Sequence, residues 1–163
     1  MNSIIYIMGV SGSGKTTIGK LLSKRINIPF FDADDLHSKV NKEKMKAGKP
    51  LTDDDRNDWL LEVNKLAQNQ DKLKGAIIAC SALKEKYRDE LSKKIADPVW
   101  IFLQGSYDLI HKRMEKRTDH YMPVQLLSSQ VESLEVPVNA FAIDVQQEPE
   151  IIIAKIISHL NYD

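Results

Sequence analysis

A short glycine-rich segment near the N-terminus has the residue types and spacing of a phosphate-binding loop. It reads GVSGSGKT over residues 9–16 and matches the pattern G-x-x-x-x-G-K-[ST]. In such a loop the glycines let the backbone turn, so that successive N–H groups point at phosphate oxygens. The side chain of Lys15 can reach the β- and γ-phosphates, and the hydroxyl of Thr16 can take a position on Mg²⁺. The expected nucleotide contacts come from one run: Gly9, Ser11, Gly12, Ser13, Gly14, Lys15, Thr16 and Thr17.

Two carboxylates follow a second apolar run, in the sequence FFDADDLH at residues 30–37. Asp32 and Asp34 are two residues apart, so both can project from one face at the end of a strand. One can hold the metal, and the other can accept a proton from an attacking hydroxyl. Asp35 suits the N-cap or first turn of the next helix, and capping is the alternative explanation for the whole cluster. His37 either hydrogen-bonds a polyol substrate or lies on a helix surface.

Arginine is rare in this chain and favours sites that need a planar, bidentate donor. Arg56 lies in the first turn of a predicted helix, where the helix dipole disfavours a cation. It therefore either binds a substrate carboxylate or pairs with the neighbouring acids. Lys84 and Arg88 lie one helical turn apart on one face. They either contact an anionic substrate or form a solvated face with Glu85 and Asp89.

Two further arginines stand at the end of a predicted helix that breaks at residues 118–123. Arg113 can lie over the adenine. Arg117 can close on the transferring phosphoryl group from a mobile lid at about residues 114–125, which would exclude water and stabilise transition-state charge. The alternative is a basic helix C-terminus that complements the helix dipole.

The end of the third apolar run lacks an acid that many nucleotide-binding proteins carry. Residues 80–82 read Cys-Ser-Ala, so the usual aspartate ligand of Mg²⁺ at this strand end is missing. This departure disfavours a motor-type or GTPase-type protein and moves metal binding onto Thr16 and the pair Asp32 and Asp34. Cys80 itself is expected to be a packed, inert thiol.

Five apolar runs alternate with segments of helical spacing along the whole chain. Their continuous apolarity is typical of parallel strands that are covered on both faces. The expected strands are residues 4–8, 29–33, 76–80, 99–103 and 140–145. The alternation predicts a single α/β domain over residues 1–163, with three layers and a mostly parallel five-stranded sheet. Ligands bind at the carboxyl ends of the strands in such sheets, where the residues above lie.

The composition of the chain indicates in which compartment the protein acts and which classes of partner it does not bind. The 163 residues include 23 basic and 23 acidic side chains, so the formal net charge is zero. A balanced charge gives no electrostatic footprint of a nucleic-acid binder, and no apolar run approaches the roughly 20 residues that span a bilayer. The single cysteine fits a reducing compartment, and no secretory leader is recognisable. We therefore expect a cytoplasmic protein without nucleic-acid or membrane partners.

Taken together, several motifs resemble the gluconokinase family of P-loop small-molecule kinases, which is related to shikimate kinase and adenylate kinase. The motifs are GVSGSGKTT, FFDADDLH, KMKAGKPLTDDDRNDWL, ACSALKEKYRDEL, FLQGSYDLIHKRMEKRTDHYMP and LLSSQVESLEVP. They occur in the right order from about residue 4 to about residue 145. The phosphate loop alone is generic, whereas the other motifs are far more specific. Two departures are Ala33, where members often have glycine, and Tyr121, where phenylalanine is usual.

The resemblance implies ATP-dependent phosphorylation of D-gluconate to 6-phosphogluconate, with Mg²⁺ and typically in a homodimer. Asp32 would assist Mg²⁺, and Asp34 would orient or deprotonate the 6-hydroxyl. Arg113 would stack on adenine, and Arg117 would act from the lid with His120 beside it. The residues implied to line the acceptor site are His37, Arg56, Lys84 and Arg88.

Two other functions stay open. A small-acid kinase of the shikimate type would share the phosphate loop and the Asp-x-Asp pair. It would ordinarily carry a Gly-Gly-Gly turn where this chain has Cys-Ser-Ala at residues 80–82. A nucleotide-dependent regulatory protein that hydrolyses ATP slowly would use water as its only acceptor and would leave the dispersed cations without a role.

Overall fold

The structure is a computed structural model that describes residues 3–117 and 123–162. Part of the predicted lid, residues 118–122 with His120, lies outside the described residues. Among the residues described, no helix is both long enough and apolar enough to cross a membrane.

Five strands form one parallel sheet, as the sequence predicts. They are β1 (Ile4–Met8), β2 (Phe30–Asp32), β3 (Ala76–Ala79), β4 (Val99–Gln104) and β5 (Phe141–Asp144). The spatial order is β2-β3-β1-β4-β5, and every neighbouring pair is parallel. Tyr6 of β1 lies in register with Ile78 of β3 and Trp100 of β4. Because all strands point the same way, the turns that follow them share one edge of the sheet.

Helices connect the strands, and polar caps fix where several of them begin. They are α1 (Lys15–Ile26), α2 (Lys39–Lys46), α3 (Asp53–Asp71), α4 (Glu85–Ser92), α5 (Tyr107–Glu115), α6 (Leu126–Ser133) and α7 (Pro149–Leu160), with a 3-10 helix at Ala33–Leu36. Ser38 caps α2 by accepting a hydrogen bond from the N–H of Asn41. Thr52 and Asp55 form a capping box at the start of α3. Asp35, expected as an N-cap or a first-turn acid, lies in the first turn of the 3-10 helix, whose N-cap is Asp32.

Alternate side chains of β1 enter two different cores, which gives the molecule its three layers. Ile4, Tyr6 and Met8 pack with buried residues of α3 and α4. Ile5 and Ile7 pack on the other face with α1 and α7. Tyr6 also donates a hydrogen bond from its hydroxyl to the carbonyl of Leu91, at 2.8 Å. Helices therefore cover both faces of the sheet and leave its carboxyl edge to the connecting turns.

Gly75 marks a close approach between the turn before β3 and the start of β1. Its φ of +81° lies in the left-handed region, and a Cβ there would lie 2.4 Å from the carbonyl oxygen of Ser3. Gly48 has a similar φ of +77° but no heavy atom within 4 Å of such a Cβ. The two glycines therefore share a backbone conformation and differ in the space around them.

We expect Gly75→Ala to lower the free energy of unfolding more than Gly48→Ala. The left-handed conformation costs about 1–2 kcal/mol in both variants, and the clash with the backbone of Ser3 adds about 1–3 kcal/mol at position 75. Urea denaturation followed by circular dichroism measures both values. Equal losses in the two variants would show that the contact with Ser3 has no energetic weight.

Candidate active site

The phosphate loop joins β1 to α1 at the carboxyl edge of the sheet. Gly14 is the N-cap of α1, with a φ of 100° in the left-handed region and no side-chain cap, and the first turn of the helix carries no acid. A helix end of this kind leaves N–H groups and a positive dipole for an anion. The Nζ atom of Lys15 donates to the carbonyls of Gly9 and Val10, at 3.0 Å each. The loop therefore combines a fixed cation with an uncapped helix N-terminus.

The charge of Lys15 is poorly solvated at this position. Burial lowers its pKa, the carboxylates of Asp34 and Asp32 oppose that shift, and the nearby guanidinium of Arg117 adds to the lowering. A bound anion would stabilise the charged form of the lysine. The residues present thus fit a phosphate group.

The acidic turn after β2 is tied to the phosphate loop through one carboxylate. Asp32 Oδ2 accepts a hydrogen bond from the hydroxyl of Thr16 at 3.1 Å. Asp32 Oδ1 accepts from the backbone N–H of Asp34 at 3.0 Å. Asp34 therefore lies in the 3-10 helix that Asp32 caps, and not on the face of a strand as its spacing suggested. Asp32 thus caps the 3-10 helix and also contacts Thr16 of the phosphate loop. Helix capping and a role in the site, the two explanations of this acidic cluster, are therefore compatible.

A cavity at this edge, which we call the acidic cavity, brings most of the predicted site residues together. Its predicted members are Ser11, Gly12, Gly14, Lys15, Thr16, Asp32, Asp34, His37, Arg56 and Arg117. Trp59, Ser81 and Gln130 also line it, and the sequence does not single out any of these three as a site residue. The cavity thus extends from the phosphate loop to the helices α2 and α3.

A second cavity, which we call the apolar cavity, adjoins the first along Gly12, Gly14 and Arg117. Its other lining residues are Ser13, Thr17, Ile18, Arg113, Val145, Gln147, Pro149 and Ile152. The guanidinium of Arg113 donates to the carbonyl of Val145 at 2.6 Å. Aliphatic side chains and a planar cation beside a phosphate loop fit a purine ring.

His37 is a buried member of the acidic cavity and does not lie on a helix surface. Its ring stacks on Trp59, with centroids 4.1 Å apart. Its Nε2 atom lies 4.0 Å from Oδ1 of Asp34. Burial lowers the pKa of His37 from 6.5 to about 4, and the positive charges of Arg56 and Lys42 add to this shift. The imidazole is therefore neutral near pH 7, so it can offer a hydrogen bond but not a charge.

Arg56 extends from the first turn of α3 into the same cavity. Its Nη1 atom donates to the carbonyl of Leu51 at 2.6 Å and to the hydroxyl of Tyr87 at 3.3 Å. The neighbouring acid Asp53 pairs with Lys84 at 3.4 Å and also accepts from Tyr87. Arg56 is thus held by a carbonyl and a phenol, which do not neutralise its charge.

Two predicted acceptor residues lie elsewhere. Lys84 is the N-cap of α4 and pairs with Asp53, outside the lining of the acidic cavity. Arg88 is buried, with 8% of its surface exposed. Its guanidinium donates to the carbonyls of Ala82, Leu83 and Glu135 at 2.7, 3.2 and 2.9 Å. The two alternatives predicted for Arg88, a substrate contact and a solvated helix face, are therefore both wrong in this structure. The side chain instead donates hydrogen bonds to three backbone carbonyls.

The metal site that this edge can build uses few protein ligands. Among the described residues, no group of three or more His, Cys, Asp and Glu side chains could hold a metal ion. Mg²⁺ commonly takes one or two protein oxygens and completes its shell with phosphate oxygens and water. Thr16 and Asp32 fit that arrangement. Cys80, at the end of β3, is not a ligand candidate because burial raises the pKa of its thiol to about 12.

Gln130 links the segment after the lid to the phosphate loop. Its Oε1 atom accepts a hydrogen bond from the backbone N–H of Ser11 at 2.6 Å. The motif LLSSQVESLEVP contains Gln130, but neither its residue type nor its helical position predicts a contact with a loop that lies 119 residues earlier.

The sheet, the phosphate loop and the acidic cavity define a P-loop kinase. A family model for shikimate kinase matches residues 11–161. A probable gluconokinase from Dictyostelium discoideum is 42% identical over 172 residues, which cover 96% of this chain and 86% of that protein. The chain belongs to the gluconokinase family.

Solved structures agree with this assignment. A gluconokinase from Sinorhizobium meliloti superposes with a TM-score of 0.84 at 37% identity, covering 98% of this chain and 96% of that one. An unliganded sugar kinase from Janibacter sp. superposes with a TM-score of 0.92 at 38% identity, covering 99% and 95%. The five-stranded α/β fold expected from the sequence is confirmed.

The lowered pKa of His37 makes a prediction about stability and pH. Below pH 6.5 the unfolded chain binds a proton at this histidine while the folded chain does not, so stability falls between about pH 6.5 and pH 4. His37→Gln removes this contribution, which is at most roughly 3 kcal/mol for the shift involved. The difference in unfolding free energy between wild type and variant should therefore shrink as the pH falls, as urea titrations at several pH values can measure. Parallel pH profiles would contradict the burial of a neutral His37.

Proposed function

We propose that this protein transfers the γ-phosphoryl group of ATP to the 6-hydroxyl of D-gluconate, giving 6-phospho-D-gluconate and ADP. The observation that carries the proposal is the acidic cavity, where the phosphate loop meets Asp34, His37 and Arg56. Relatives named gluconokinase from several organisms support the choice of acceptor. A shikimate-type kinase is not favoured, because this chain has Cys-Ser-Ala at residues 80–82.

On the nucleotide side, the loop and the apolar cavity divide the binding between them. The N–H groups of the loop and the start of α1 would hold the phosphates, and Arg113 would lie against adenine. Mg²⁺, held by Thr16 and Asp32, would neutralise charge on the phosphates when it is bound. Lys15 would offset charge on the transferring group. Arg117, which lines both cavities, would do the same from the beginning of the lid.

On the acceptor side, the side chains would position one hydroxyl and one carboxylate. Asp34 would accept a hydrogen bond from the 6-hydroxyl and orient its oxygen toward the γ-phosphorus, taking the proton as the new P–O bond forms. Arg56 would bind the carboxylate of gluconate. His37 would donate a hydrogen bond within the cavity. Lys84 pairs with Asp53 outside the lining of the acidic cavity, so we assign it no direct contact with the acceptor.

The remaining parts of the proposal follow the family resemblance. His120 would stand beside Arg117 in the lid, residues 114–125 would close over the reacting groups, and residues 1–163 would act as one kinase domain. We also propose a cytoplasmic homodimer.

An acceptor panel tests the proposed function. ADP formation from MgATP is measured with D-gluconate, other aldonates, shikimate, a nucleoside monophosphate and buffer alone. We expect a signal with D-gluconate that far exceeds the others. If ADP formed at the same rate in buffer alone, the protein would be an ATP hydrolase and not a kinase. A signal with shikimate alone would show that D-gluconate is not the acceptor.

Asp34→Asn should lower kcat with D-gluconate by about 10²–10⁴-fold, because the variant cannot take the hydroxyl proton. Asp35→Asn is the matched control, since Asp35 belongs to the same 3-10 helix but is exposed and does not line the acidic cavity. Steady-state kinetics at saturating ATP compare the two variants. Similar kcat values for both would remove Asp34 from the chemistry.

The two arginines predicted from the sequence to bind substrate should behave differently. Arg56→Met should raise the KM for D-gluconate by roughly 10–100-fold, the range expected for a lost charged hydrogen bond. Arg88→Met should instead lower the free energy of unfolding by about 3 kcal/mol, because it leaves three carbonyls without their donor. If Arg88→Met raised KM without loss of stability, the placement of Arg88 would be wrong.

A further inference from the structure

A polar side chain lies behind His37 that the proposed chemistry does not use. Asn41, on α2, is buried to the same degree as His37, with 7% of its surface exposed. Its Nδ2 atom lies 2.7 Å from the carbonyl oxygen of Asp55. The same nitrogen lies 3.5 Å from Nδ1 of His37. Asn41 therefore stands between the first turn of α3 and the ring of His37.

The amide group of Asn41 has one orientation that suits both neighbours. A carbonyl can only accept a hydrogen bond, so the NH₂ group of Asn41 must face Asp55. The reverse orientation would place two carbonyl oxygens 2.7 Å apart. The second N–H of the same nitrogen then faces Nδ1 of His37. In a neutral imidazole, the nitrogen that faces a donor carries the lone pair, so the proton is on Nε2.

Both ends of this chain of contacts are fixed by other interactions. The backbone N–H of Asn41 donates to the hydroxyl of Ser38 at 3.1 Å, which caps α2. Asp55 belongs to the capping box of α3. On the side of the cavity, Trp59 stacks on the imidazole and donates from Nε1 to the carbonyl of Ala33 at 2.7 Å. The ring plane of His37 is therefore held from one side while Asn41 holds its Nδ1 edge.

We propose that Asn41 is a positioning residue that keeps His37 in the Nε2–H tautomer, so that His37 presents a donor to Asp34 and to the acceptor substrate. Nε2 lies 4.0 Å from Oδ1 of Asp34, a separation that one hydroxyl of the substrate can bridge after a small adjustment. The other tautomer would turn a lone pair toward the carboxylate, and the two would repel. The effect on catalysis rests on the proposed function, whereas the tautomer does not.

The tautomer can be measured directly. Long-range ¹H–¹⁵N correlation spectra of the ¹⁵N-labelled protein near pH 7 distinguish the two neutral forms. The chain has four histidines, so the signals of His37 are assigned by their loss in His37→Gln. We expect the Nε2–H pattern in the wild type and a gain of the Nδ1–H form in Asn41→Leu. An Nδ1–H pattern in the wild type, or no change in Asn41→Leu, would overturn the proposal.

Kinetics test the consequence for catalysis, with Asn64→Leu as the matched control. Asn64 is also 7% exposed and also donates to carbonyls, those of Leu91 and Lys93, away from the acidic cavity. We expect Asn41→Leu to lower kcat/KM for D-gluconate by about 10-fold, as a small loss of positioning does, with the KM for ATP unchanged. Asn64→Leu should lower stability without this kinetic effect.

A double-mutant comparison decides whether Asn41 acts through His37. In a His37→Gln background, Asn41→Leu should have little further effect on kcat/KM. An undiminished loss in that background, or an equal loss in Asn64→Leu, would overturn the positioning role. If the wild type did not phosphorylate gluconate at all, the proposed function would fail, and the spectra alone would decide the tautomer.

Discussion

The carboxylate of Asp32 holds the two halves of the site together. One of its oxygens accepts from Thr16 at the start of α1, and the other accepts from the backbone of Asp34. β3 lies between β1 and β2 in the sheet, so the turns after β1 and β2 are not neighbours. Asp32 spans this gap. The position of Asp34 relative to the phosphate loop therefore depends on a side chain that is itself suited to hold Mg²⁺.

The two halves of the site are built in different ways. The phosphate loop is local, since a few consecutive residues supply the turn, the cation and the helix N-terminus. The acceptor half is assembled from distant segments: Met45, Leu51 and Leu126 pack together beside it, and Gln130 closes it onto Ser11. The match to a shikimate kinase family model covers residues 11–161 and therefore includes both halves. The assembled acceptor half is where kinases of this fold can differ in substrate.

This contrast also explains what could be predicted from the sequence. The five strands and the phosphate loop have local signals, namely apolar runs and glycine spacing, and the structure agrees with them. Asp32 and Asp34 line the same cavity, as their spacing predicts, although Asp34 belongs to a 3-10 helix and not to a strand. Arg88 shows the limit. It lies on α4, but Lys84 is only the N-cap of that helix, and the carbonyl of Glu135 that Arg88 satisfies lies 47 residues away.

The residues that the sequence did not reveal share one property. Asn41, Trp59 and Gln130 each form a hydrogen bond with the backbone of another element. A buried asparagine or glutamine in a helix has no local pattern that distinguishes a positioning role from a surface one. Such roles become visible only when the tertiary structure brings the partners together.

The central claim is that the acidic cavity holds both reacting groups: the phosphate loop binds the γ-phosphate of ATP, and the acceptor residues bind D-gluconate beside it. A crystal structure with D-gluconate, Mg²⁺ and a non-hydrolysable ATP analogue tests it most directly. The account predicts the 6-hydroxyl oxygen beside Asp34, about 3–3.5 Å from the γ-phosphorus and in line with the bond to be broken, with the gluconate carboxylate at Arg56. Gluconate bound outside the acidic cavity, or with its carboxylate toward Asp34, would contradict it.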